Sequence, residues 1–109
     1  DEISPFAKTN VIQLKDNVIS EIIIDTKELN VNAKKFENLI GDDAKFNADR
    51  MINIFQGEDN DFSKAVCLNT AAGLIVNETH QNFVDAYNNA REHILSSKVI
   101  KHLEKIQNA

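Results

Sequence analysis

The sequence predicts an α+β chain in which one β-hairpin is followed by about five helices. Three observations carry that prediction. Two short, β-branched apolar runs flank Lys15-Asp16-Asn17, as strands flank a tight turn. Past residue 26 the apolar period changes from two to three-and-four, the helical spacing. Gly, Asp, Ser and Thr then recur at intervals that suit helix starts and stops.

The hairpin is placed at 9-25, with strands over Thr9 to Leu14 and Val18 to Asp25. Asp and Asn tolerate the positive φ that a two-residue hairpin turn demands. In the second strand Val18, Ile22 and Ile24 share one face, and Ile19 and Ile23 share the other. A strand apolar on both faces is normally covered on both. In the helical part, 33-108, a short helix is expected over Ala33 to Ile40, stopped by Gly41. Asp42 and Asp43 can cap a second helix to about Gln56, with Phe46, Met51, Ile54 and Phe55 as its apolar side and Gly57 as its end. Asp61 or Ser63 opens a third, apolar nearly all round and therefore buried. Thr79 can cap a fourth, with Phe83, Ala86, Tyr87, Ala90 and Ile94 inward. Ser96-Ser97 breaks the pattern before a fifth, with Val99, Ile100, Leu103 and Ile106 inward.

At 109 residues the chain supports a single segment, 1-109, with no repeat or long linker. Its 12 Lys and Arg against 17 Asp and Glu leave a net charge of −5, which argues against nucleic acid as a partner. Cys67 is alone, so no internal disulfide forms. No apolar run approaches the ~18 residues of a membrane span, and no signal-peptide pattern is present, so the expected setting is cytoplasmic. Gly41, Gly57 and Gly73 stand singly, and none belongs to a phosphate-cradling loop. A start at Asp1-Glu2 without Met leads us to expect a piece of a longer protein.

Among side chains that carry chemistry, His80, His93 and His102 lack the i, i+4 spacing of a paired metal site and read as solvated or edge residues. Cys67, between Val66 and Leu68, reads as a small core residue. Asn69 lies in an apolar helix, and its amide is expected to satisfy backbone groups of a neighbouring segment. The acidic runs Asp42-Asp43 and Glu58 to Asp61 lack the alternation of a calcium loop and read as helix caps. Asp1 and Glu2, adjacent carboxylates ahead of the hairpin, have the chemistry to hold Mg²⁺, which takes one or two carboxylates and completes its shell with water and phosphate oxygens. Any exposed Asp-Glu pair looks the same, however, and on spacing alone a plain solvated pair is the better reading.

The chain as a whole resembles the C-terminal third of the anthranilate phosphoribosyltransferase family. The residues that carry the resemblance run in order: Asp1-Glu2-Ile3-Ser4, Thr9 and Val11, the segment Asp25 to Leu29, Gly41-Asp42, Asn47-Ala48, Phe55-Gln56-Gly57, Leu68-Asn69-Thr70-Ala71-Ala72-Gly73-Leu74, and Ala90 through Ser97-Lys98. The departures are modest. Thr26 stands for Pro, Asn17, Asn30 and Ser97 stand for Gly, and Gln13 stands where Glu is common. Asn mimics Gly at positive φ, so two of these exchanges are conformationally mild.

The resemblance implies a glycosyltransferase of tryptophan biosynthesis in which the amine of anthranilate displaces pyrophosphate from phosphoribosyl pyrophosphate. It implies Mg²⁺ as cofactor, with Asp1 and Glu2 as its ligands or water-mediated holders, and no other catalytic residue in this segment. It further implies a parent that dimerises through a helical domain elsewhere in its chain. A separated segment is expected to be inactive and to associate through its hairpin. Two other readings stand beside this one: a domain related to the pyrimidine nucleoside phosphorylases, and a non-catalytic helical interaction module.

Overall fold

The structure, a computed structural model, describes residues 2–109. Strands β1 (Thr9–Lys15) and β2 (Val18–Ile24) form a two-stranded antiparallel sheet, followed by helices α1 (Ala44–Phe55), α2 (Asp61–Val76), α3 (Phe83–Leu95) and α4 (Lys98–Gln107). The hairpin stands where the sequence predicts it. Lys15 pairs with Val18, leaving Asp16 and Asn17 as the two turn residues, with φ of 50° and 61°. Positive φ at both positions is the turn whose twist matches that of the strands it joins.

Helix α2 is the centre of the molecule. Its Cys67, Leu68 and Ala71 pack with Ala86, Tyr87, Ala90 and Ile94 of α3 and with Ile3, Ile24 and Val31 from the segments before the helices. Small Ala71 of α2 and Ala86 and Ala90 of α3 share this buried cluster with the much larger Tyr87. Ile54 is the buried residue of α1, and Val99 carries α4 against the same core.

Four of the expected helix boundaries shift, each for a physical reason. Ala33 to Ile40 yields only a 3-10 turn at Phe36–Leu39, because the backbone N–H groups of Lys34 and Lys35 are turned onto the Asp61 carboxylate. Among the described residues the count is therefore four α-helices and one short turn. Gly41 is not a left-handed stop. A Cβ there would lie 2.8 Å from Asn47 Oδ1, so glycine makes room for a side chain. Helix α2 is capped by Asn60, with Ser63 reciprocating from the third helical position, and Asp61 takes no part in the cap. Helix α3 is capped by Asn82, whereas Thr79 donates its hydroxyl back to Leu74 at the end of α2. The cap of α1 by Asp43 is as expected, its carboxylate accepting from the Phe46 N–H at 2.8 Å. In α4, Ile106 is exposed, so the helix lays only Val99, Ile100 and Leu103 toward its neighbours.

Among the described residues the hairpin meets the rest of the molecule at its base. Ile24 is buried and Val11 packs against the core, but Ile22 is already 42% exposed. On the outer face Ile12, Leu14, Ile19 and Ile23 are all open to solvent. The total accessible surface is 7817 Å², against about 6,100 Å² for a closed monomer of this mass. The radius of gyration, 14.8 Å, likewise exceeds the roughly 13 Å of a compact chain of this length.

Candidate functional site

The segment that leads into β1 is held by a side chain from the middle of α2. The Ile3 N–H donates to Asn69 Oδ1 at 2.9 Å, and Asn69 Nδ2 donates to the Ile3 carbonyl at 3.4 Å. The same Nδ2 donates to Ala65 O, one helical turn back, at 2.9 Å. The amide edge of Asn69 thus runs along Ile3 as a neighbouring strand would, taking both of its main-chain groups. This is the structural use of Asn69 expected from the sequence. Ile3 is also buried, so its side chain is fixed in the core while its backbone is fixed by the amide. A second contact follows at once, where the Ser4 N–H donates to Thr9 Oγ1 at the start of β1.

Glu2 precedes this anchored residue. It is exposed and makes no ion pair with any described residue. Asp1, its expected partner in metal binding, lies outside the described residues. Among the described residues no group of three or more His, Cys, Asp and Glu side chains is gathered to hold an ion. A carboxylate such as that of Glu2 is an oxygen donor of the kind a hard cation takes, unlike the nitrogen and sulfur donors of a closed tetrahedral site. His93 and His102 are exposed and His80 half-buried, as edge histidines are.

The other polar clusters serve the fold. Asp61, at the first position of α2, is 4% exposed. Its Oδ2 accepts from the N–H groups of Lys34 and Lys35 and from Asn38 Nδ2, and its Oδ1 lies 3.4 Å from Lys64 Nζ. Burial alone would raise its pKa, but these donors outweigh that and bring the carboxyl down to about 2. Arg50 spans the rings of Phe46 and Phe62 and donates to the carbonyls of Ile40 and Asn38. Arg91 of α3 pairs with Asp59. The run Glu58 to Asp61 is therefore more than a cap, since it ties α2 to α3 and to the loop before α1. Burial pushes the Cys67 thiol up to about 11, which suits a core residue and not a nucleophile.

Asn47 repeats the device seen at Asn69. Its Oδ1 accepts from the Asp42 N–H at 3.1 Å and its Nδ2 donates to the Asp42 carbonyl at 2.9 Å. Gly41, Asp42 and Asn47 are thus one unit, an amide seated on a backbone where a Cβ would intrude. Sequence reasoning missed this pairing, although Gly41-Asp42 and Asn47-Ala48 stood among the residues of the resemblance.

Comparison with known proteins gives these features a family. The model of the family described as "Glycosyl transferase family, a/b domain" matches residues 1–99. The chain belongs to that family. Within this glycosyl transferase group it is 68% identical over 108 residues to a protein of Pelagibacter ubique (strain HTCC1062) named anthranilate phosphoribosyltransferase, covering 99% of this chain and 33% of that protein. Proteins of the same name from Syntrophomonas wolfei and Thermoplasma acidophilum are 32% and 33% identical over 106 residues, covering 97% of this chain. The chain spans about a third of the length of these relatives. No described helix is long and apolar enough to cross a membrane.

Proposed function

We propose that the chain is the C-terminal part of an anthranilate phosphoribosyltransferase. The observation that carries the reading is the 68% identity, maintained over 99% of the chain, to a relative of that name. In the reaction, the bond from the ribose anomeric carbon to pyrophosphate breaks and a bond to the anthranilate amine forms. Pyrophosphate leaves, and the amine gives up a proton.

The part played by this segment is to supply carboxylates. Asp1 and Glu2 would hold Mg²⁺, which when bound neutralises charge growing on the departing pyrophosphate. Glu2 offers an exposed oxygen donor on a backbone fixed immediately after it. Two carboxylates leave room for oxygens of the substrate, which is how this cation usually sits. The parent enzyme acts in the cytoplasm as a homodimer, through helices outside this segment. The remainder of the catalytic domain covers the outer face of the hairpin.

The test uses the complete enzyme. Asp1→Asn together with Glu2→Gln should lower turnover most at limiting Mg²⁺, and unchanged turnover there would overturn the assignment. The purified 109-residue chain should consume no anthranilate when given phosphoribosyl pyrophosphate, as followed by anthranilate fluorescence. Consumption by the segment alone would contradict the division of labour proposed here.

A further inference from the structure

We propose that Asn69 is a positioning residue for the metal-binding carboxylate of Glu2, setting where Glu2 stands through the backbone of Ile3. This rests on the reading of Glu2 just given. The Ile3 N–H belongs to the planar peptide unit that joins Glu2 to Ile3, so its bond to Asn69 Oδ1 at 2.9 Å orients the plane that carries Glu2. The Ile3 carbonyl belongs to the next plane, and Asn69 Nδ2 donates to it at 3.4 Å. Both planes that flank Ile3 are therefore referred to one side chain.

That side chain is itself fixed. Its Nδ2 donates to Ala65 O at 2.9 Å, and it sits on the central helix between the buried residue Leu68 and the exposed Thr70. Only one orientation of the amide satisfies all three bonds, because the donor must face two carbonyls and the acceptor one N–H. The partners lie 66 positions apart in sequence, so local chain stiffness does not hold this geometry. If Asn69 served only to satisfy its own amide, the Ala65 carbonyl and solvent would suffice. Its reach to both groups of the residue after Glu2 is what assigns the role. Groups that orient ligands from behind commonly change metal affinity 10- to 100-fold when removed. Acting through backbone, Asn69 belongs at the lower end, about tenfold.

The experiment compares Asn69→Ala, Glu2→Gln and the double variant in the complete enzyme. Mn²⁺ affinity is read by electron paramagnetic resonance in the presence of pyrophosphate. Amide hydrogen exchange is read for the peptide that contains Ile3. Asn69→Ala should speed exchange there and weaken Mn²⁺ binding about tenfold, with kcat at saturating metal reduced less. In the Glu2→Gln background it should weaken binding no further, because two residues acting through one contact are not additive. Faster exchange with unchanged Mn²⁺ affinity, while Glu2→Gln still weakens it, overturns the positioning role and leaves the metal reading standing. Unchanged affinity in Glu2→Gln overturns both. Should Asn69→Ala fail to fold, Asn69→Ser takes its place, since that hydroxyl can still bond Ala65 O but is too short to span Ile3.

Discussion

Asp61 shows how much one carboxylate contributes when two main-chain N–H groups, a side-chain amide and an ammonium surround it. Its folded pKa, about 2, lies below the ordinary 3.8, so the stabilisation is complete above pH 4 and is lost as pH falls through 2. The difference corresponds to about 2 kcal/mol. Acid unfolding followed by circular dichroism should therefore steepen between pH 4 and 2 in the native chain and flatten in that range in Asp61→Asn. At neutral pH Asp61→Ala should be the more damaging change, costing about 2–3 kcal/mol, because the N–H groups of Lys34 and Lys35 lose their acceptor. At this scale the sequence was informative where a polar residue interrupts an apolar pattern. Asn69 was legible for that reason. Asp61 was not, because an acid ahead of an apolar helix is also what a cap looks like, and only the folded chain turns its carboxylate away.

Elements were legible where a period ran long enough to define a face. Both strands, the turn at Asp16-Asn17 and the bodies of α1, α3 and α4 follow directly from spacing. Caps were read less well. Asn60 and Asn82 do the work expected of Asp61 and Thr79, because any of several neighbouring polar residues satisfies the pattern and the exact entry angle decides among them. The hairpin carries the consequence of greatest practical weight. The helices take the Ile22 and Ile24 side, which leaves Ile12, Leu14, Ile19 and Ile23 outward. Such a face and its unpaired edges promote association. Light scattering on the isolated chain should give a mass that rises with concentration, and Ile19→Lys with Ile23→Lys should return it to monomer. A clean monomer for the native chain at high concentration would show that the face is tolerated in water.

For the molecule as a whole, fold class was legible and closure was not. Periodicity tells which residues of an element are apolar, but not whether the partner that covers them is in the same chain. The unusual surface of this chain bears on how it comes apart. The slope of stability against urea reports the surface newly wetted when the native state is lost. A chain that leaves 7817 Å² open, where about 6,100 Å² is usual, has correspondingly less to reveal. Its denaturation should be about 15% shallower per molar urea than that of a closed protein of equal length, with a heat-capacity increment reduced in the same sense. When the hairpin is covered, the missing area returns and the transition should sharpen. A titration repeated at rising protein concentration measures this directly. A shallow slope that ignores concentration would mean that the hairpin stays wet on one face and that no second copy covers it.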